Sequence, residues 1–303
     1  MAAPLRGTQS LVGQMGWVFE RPSLTAIEVG WRWLFGIPLL AVCWIEAQRI
    51  LASLPLESAG LTTIDPQNPW VAAVQFADAW ALYQPHVAAV LRWLLPVAAL
   101  AWVVLSGLGR SLVFKRMEPQ LRFRPVEMIA LQATWLALMA LCCWGWFRSI
   151  AWVAATHITP AGEPDLVGYS MWVIFLSLGF FTAFALVSWA LSIAPLLMLL
   201  EDLSPAAALA KSLKLGRAFT GKLAEINLVM GIVKLALIVV AMVLSAAPLP
   251  FSDQLGSDAM HGILAVATIF YFVANDYFQV VRLKGFVEFW RMFRGQQASG
   301  AAS

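Results

Sequence analysis

The sequence predicts an all-α membrane protein, a polytopic bundle of six transmembrane helices with amphipathic helix starts on the cytoplasmic side. Three observations carry that prediction. Of 303 residues, 61% are hydrophobic and only 12% charged, about half the charged share of a soluble domain, and mean hydropathy is +0.77. Apolar runs of roughly twenty residues, enough to cross a bilayer as helix, recur six times. Lys and Arg gather in alternate connections between those runs. Trp, with fifteen occurrences against four of Tyr, falls often near the ends of the runs, as in the aromatic belts of membrane interfaces.

The N-terminal stretch 1–26 has no continuous apolar core and no convincing cleavage site, so it reads as an interfacial segment and not as a cleaved signal. Span one is expected over 27–45 and span two over 87–108. The connection between them, 46–86, is long. Its turn-rich ESAGLTTIDPQNP core precedes PWVAAVQFADAWALYQPH, a helix expected either to lie along the outer membrane surface or to cover the bundle as a loop. Spans three to six are expected over 128–154, 170–200, 226–246 and 262–281, leaving 282–303 as a basic tail.

Orientation follows from the cations. Arg6 and Arg21 precede span one, and the 109–127 connection holds Arg110, Lys115, Arg116, Arg122 and Arg124. The 201–225 connection holds Lys211, Lys214, Arg217 and Lys222, and the tail holds Arg282, Lys284, Arg291 and Arg294. The alternate connections hold Arg49 alone. The positive-inside rule then puts both termini in the cytoplasm and the chain in an inner membrane. The same cations are expected to meet anionic lipid, and membrane-protein partners would meet the same surface; no nucleic-acid partner is expected.

Each odd-numbered span has a proline-led start, at Pro22, Pro125 and Pro205. Proline suits the first helical turn, where its missing N–H has no intrahelical partner. Either three hairpins descend from one repeat or the three starts converged on the same chemistry. In the third, Ser204 is the expected N-cap, Leu209 and Leu213 begin an apolar stripe, and Gly216 marks a bend.

Charges within spans are the first candidates for function. Glu28 and Arg32, four apart, predict a local pair on one helix face. Arg92 and Arg148 sit toward outer span ends, where they snorkel to headgroups or share an outer anion or lipid-phosphate site. Lys234 and Asp276 fall at similar depth in adjacent antiparallel spans and predict an intramembrane ion pair. His86, His157 and His261 all fall at outer ends, near Glu163, Asp165 and Asp258. Imidazole and carboxylate suit a divalent cation, but no two of the histidines have i, i+4 spacing, so no metal and no cofactor is expected. Cys43, Cys142 and Cys143 lie in apolar runs without any C-x-x-C spacing and read as small hydrophobes.

No H-E-x-x-H or G-x-S-x-G occurs. GRAFTGKL (216–223) follows a P-loop for seven positions, then places Leu223 where Ser or Thr must hold magnesium. The segment Ile193–Val233 has an apolar span, an acidic turn, then Ala208-Leu209-Ala210-Lys211-Ser212-Leu213-Lys214-Leu215 leading into the next span. Over those 41 residues it resembles uncharacterised bacterial six-helix membrane proteins related to the membrane domain that precedes some glycerophosphodiester phosphodiesterases. The resemblance implies a similar helical bundle and carries over no catalytic residue, since the soluble phosphodiesterase domain has no counterpart. The leading expectation is a non-enzymatic scaffold or assembly protein, within reach of a subunit role in a larger complex. A small transporter using intramembrane charge is the alternative, and a lipid-processing enzyme using Asp276 ranks third.

Overall fold

A computed structural model describes residues 7–57, 69–159, 164–214, 217–246 and 257–300. Eight helices account for almost all of them: α1 (Gly7–Phe19), α2 (Pro22–Ser53), α3 (Pro69–Met117), α4 (Pro125–His157), α5 (Leu166–Leu200), α6 (Pro205–Leu213), α7 (Arg217–Ala246) and α8 (Ser257–Gly300). No strand occurs among the described residues. Five helices are long and apolar enough to cross a membrane, within Pro22–Ser53, Val74–Met117, Pro125–His157, Leu166–Ala185 and His261–Met292. The expected fifth span falls on α7, whose apolar run is shorter, Ile226–Val240.

Pro22, Pro125 and Pro205 each begin a helix, as their chemistry requires. Ser204 caps α6 by accepting from the Ala207 N–H at 3.3 Å. The three starts are nevertheless unlike. Pro22 and Pro125 head long spanning helices, whereas Pro205 heads a helix of only 9 residues. The face α6 buries is Ala208 and Ser212, not the expected Leu209–Leu213 stripe. These small side chains let α6 pack close on α5, Leu209 only flanks the core, and Leu213 is 67% exposed. Gly216 lies outside the described residues.

Two expected boundaries are corrected. Residues 70–86 do form a helix, but it runs without a break into span two as part of the 49-residue α3, with Pro85 and Pro96 inside it. Proline at those positions is tolerated because neighbouring groups in a membrane helix re-satisfy the freed carbonyls. The supposed tail from 282 continues α8 to Gly300. Far from being a free basic end, it contributes Leu283, Phe286, Val287 and Trp290 to the core. Val280, Val281, Leu283 and Phe286–Val287 alternate with cations in a way that reads as tail but packs on all sides.

The chain divides into two compact units. Unit two, residues 30–106, pairs α2 with α3. Trp102 meets the rings of Trp31 and Phe35 at 5.7 and 5.4 Å, and the Tyr83 hydroxyl donates to the Leu54 carbonyl at 2.8 Å. Residues 31 and 54 lie at opposite ends of α2, and their partners 102 and 83 come in reverse order, so the two helices are antiparallel.

Unit one comprises 1–29 and 107–303. Its core joins Val18 and Leu24 to Val113–Phe114, Met128, Leu131, Ile193–Leu199, Ala208, Met230, Val280–Val281 and Phe286–Val287. On α3, α4 and α5 these residues lie at the end of the helix that adjoins the cation-bearing connections, whereas Met230 and Val280–Val281 lie near the middle of α7 and α8. Toward the other end, side chains face outward: Leu141, Trp144 and Phe147 on α4, Ile174, Phe175 and Phe181 on α5, Val266 and Phe270 on α8. α5 is roughly 52 Å long, well beyond the ~30 Å of a hydrocarbon core. Its exposed stretch Leu166–Ala185 is lipid-spanning in length and composition, while Ile193–Leu199 is protein core.

A close helix crossing explains one glycine. A Cβ on Gly107 of α3 would come 2.5 Å from Ile129 Cγ1 and 2.8 Å from its Cα on α4. A small residue at such a point lets backbones approach where packing must replace the hydrophobic effect. Across α4 and α5 the register is set differently. Trp135 Nε1 donates to Ser188 Oγ at 3.2 Å and Trp146 Nε1 to Ser177 Oγ at 2.8 Å. Each pair of residues is eleven apart, close to three turns, so both bonds lie on one face.

Cys43 and Cys143 are exposed and Cys142 half-buried, so they line outer surfaces instead of the interior their apolar context implied. Replacing Trp146 by Phe keeps the ring but removes the N–H. Thermal unfolding in detergent should detect a loss of about 1 kcal/mol, the range of interhelical hydrogen bonds in membranes. An unchanged midpoint would mean that the bond contributes nothing to register.

Candidate functional site

The cation-bearing end of unit one is the candidate site, and its cations are mostly engaged within the protein. α3 ends at Met117, and the next residue, Glu118, faces α8. Its two carboxylate oxygens accept from Lys284 Nζ at 3.3 Å and Arg291 Nη2 at 2.6 Å. Lys284 also donates to Glu288 Oε1 at 2.6 Å, and Arg291 lies 3.7 Å from the same oxygen. Two cations and two carboxylates thus close a neutral network. Lys284 is almost fully buried, and its ammonium stands 4.3 Å from the Trp17 ring centroid. An aromatic face adds attraction in a place where water is excluded. α1 is held over α8 as well by the Tyr277 hydroxyl, which donates to the Met15 carbonyl at 2.8 Å.

A second group of charges joins the α3–α4 connection to the α5–α6 turn. α5 ends with Leu203 N–H donating to Met198 O at 3.2 Å, and Asp202 between them has φ of 53°. That left-handed position is usually glycine; aspartate tolerates it better than most residues. Its carboxylate oxygens then reach Arg122 at 3.1 Å and Arg124 at 3.2 Å. Arg124 further donates to Glu127 Oε1 at 3.0 Å and to the Leu203 carbonyl at 2.9 Å. Lys211 pairs with Glu201, and Lys115 donates to the carbonyls of Pro119 and Leu121 at 2.8 and 2.9 Å. Arg116 reaches Ser23 Oγ at 3.5 Å.

Among the cations expected at the lipid surface, Lys115, Arg122, Arg124 and Lys211 fasten connections, Arg110 is half-buried, and Arg116 and Lys214 stay exposed. The side chains of Arg217 and Lys222 lie outside the described residues, as does that of Lys234, so the Lys234–Asp276 pair is not described. Asp276 itself is only 3% exposed. Glu28 is completely buried whereas Arg32 is half-buried, with its guanidinium 5.2 Å from the Trp31 ring centroid. Residues 217–223 are helix, so the P-loop-like string forms no phosphate-cradling loop there.

At the opposite ends, Arg92 belongs to unit two and Arg148 to unit one; each is exposed on its own helix. Beside Arg148 a groove of ≈ 470 Å³ follows α4 past Ser149 and Trp152. His86 and His261 are exposed, and no group of three or more metal-ligating residues occurs among the described residues. His157 instead meets Asp165, with Nδ1 3.2 Å from Oδ2. Asp165 caps α5 by accepting from the Gly168 N–H at 2.8 Å. Glu163 and the Asp258 side chain lie outside the described residues. Missed in the sequence were Glu118 and Glu288 as partners of the tail cations. Their i, i+4 spacing from Lys284 (for Glu288) was the available signal.

Lys284→Met should lower stability by about 3 kcal/mol, because it unbalances a nearly buried charge network. Adding Glu118→Gln should restore part of that loss in a double-mutant cycle followed by thermal unfolding. Additive losses would remove the coupling. The Gly168 N–H, helped by the His157 ring, holds the Asp165 carboxyl below the usual aspartate range. A depressed carboxyl stabilises the fold above the unfolded value of about 3.9, and that contribution is lost as pH falls through the lowered value. The protection factor of the first turn of α5 in hydrogen exchange, taken relative to the intrinsic rate at each pH, should therefore fall on acidification across that window, and Asp165→Asn should abolish that fall.

No protein-family model, characterised protein or solved structure matches this chain.

Proposed function

We propose that the chain is a six-span inner-membrane protein with both termini in the cytoplasm, serving as a non-enzymatic scaffold or assembly factor for other membrane components. In this reading α7 adds the fifth span in chain order to the five longer apolar helices, through Ile226–Val240 and its flanks. The resemblance of Ile193–Val233 to six-helix bundles is consistent with it.

One observation carries the role. The spanning stretches bury almost nothing within the chain, while the cation-bearing ends form a finished core. None of the most apolar window of α2 or of Leu166–Ala185 is buried, and only 17% of that of α4 or α8. A solute pathway would need polar side chains converging between packed spans near midplane. Here the spans offer apolar faces instead: Leu34, Ile37, Leu40 and Trp44 on α2, and Met171, Ile174, Phe175 and Leu178 on α5. Such faces suit lipid along most of their area and partner helices along the rest. The exposed Arg116 and Lys214 add attraction to an anionic leaflet at the other end.

A photo-crosslinking amino acid at Leu40 or Phe175, activated in native membranes, should produce adducts with other polypeptides. The same group at buried Met198 should give none. Adducts with lipid alone from both outward positions would sink the scaffold role while leaving the membrane topology standing.

A further inference from the structure

A cavity of ≈ 360 Å³ lies among α5, α7 and α8 in unit one, within the range of small-ligand sites. It occupies a particular level of the protein. On α5, Phe181 is 69% exposed, and from Leu191 onward the helix is buried. The cavity extends from Phe181 to Ser192, straddling that change. On α8 it is reached by Arg282, just beyond the last residue of the expected sixth span.

The lining is of two kinds. Phe181 and Phe184 form an apolar wall, while Arg282, Asn227, Ser188 and Ser192 bring polar atoms. Arg282 is the one cation among the described residues that line it, and none of them is acidic. Arg282 is half-buried, with its guanidinium carbon 5.5 Å from the Phe286 ring centroid, a contact that steadies the plane of the group. Ser188 Oγ already accepts from Trp135, which leaves its O–H to donate. Asn227 Oδ1 is buried with no hydrogen-bond donor. A buried amide oxygen left so costs free energy unless a ligand or water supplies the proton.

The geometry points to a binding site for the headgroup of an inner-leaflet phospholipid that itself carries an N–H or O–H, such as phosphatidylethanolamine or phosphatidylglycerol. Arg282 and the Ser188 hydroxyl take the phosphate, as a cation and a neutral donor do well together. Asn227 Oδ1 accepts from the ammonium or glycerol hydroxyl, and the first acyl carbons run along Phe181 and Phe184. Phosphatidylcholine offers the same phosphate but no donor for Asn227. The assignment rests on the proposed membrane placement, and the cavity is separate from the Glu118–Lys284 network.

The test is native mass spectrometry of the full chain in detergent, after delipidation and addition of one phospholipid at a time. Phosphatidylethanolamine and phosphatidylglycerol should be retained about tenfold more than phosphatidylcholine, the factor expected for one buried hydrogen bond gained. Asn227→Leu should erase that preference, and Arg282→Gln should weaken retention of all three. Equal retention of the three lipids by the unaltered chain overturns the assignment without recourse to any variant. So does a preference that survives Asn227→Leu. Displacement of bound lipid by inorganic phosphate would overturn the lipid source in favour of a soluble anion. Release of the chain from membranes by alkaline wash would be failure of the membrane placement, read independently of lipid retention.

Discussion

Everything in unit one depends on burying the inner half of α8 together with its charge. Val280, Val281, Leu283, Phe286 and Val287 are buried, and Lys284 sits among them. An ammonium cannot be taken from water without partners of opposite sign. Glu118 and Glu288 meet that requirement, and Trp17 covers what remains. Those partners come from the end of α3, from α8 itself and from α1. Satisfying one buried cation therefore draws three segments far apart in sequence onto a single point. The remaining connections follow the same logic at lower stakes, with Asp202 gathering Arg122 and Arg124.

The consequence is a division of labour along each helix. The outward-facing stretches of α4, α5 and α8 are surfaces for a solvent that is itself apolar, and they need no internal packing to stay helical. The buried stretches, Ile193–Leu199 among them, are protein core, where hydrophobic burial supplies the driving force. Ile193–Leu199 can thus be continuous with Leu166–Ala185 in hydropathy and yet belong to a different environment.

That continuity explains what was legible in the sequence. The helices, their proline starts and the Ser204 cap follow from local chemistry and were readable. The depth at which lipid gives way to protein core was not, because hydropathy does not separate a lipid-facing Phe175 from a core Phe286. Lys284 and Arg291 read as tail cations because a carboxylate partner they share, Glu118, is more than 160 residues away. Residues 69–86, expected either as a surface helix or as a loop over the bundle, continue through Pro85 into the rest of α3, a continuity that their local sequence does not mark. The cavity was invisible for a related reason: Asn227, Arg282 and Ser188 are each unremarkable alone and converge only through tertiary packing.

The paired indole–hydroxyl bonds between α4 and α5 have a further effect. Because the two donors and the two acceptors share one spacing, the hairpin behaves like a vernier. A slip by a single turn breaks both bonds together, so no partial register is half-rewarded. A slip by the full spacing would remake one bond, but only by dragging connection residues roughly 16 Å into hydrocarbon. The hairpin therefore has one rewarded alignment, and that alignment sets the height at which Ile193–Leu199 meets the rest of the core.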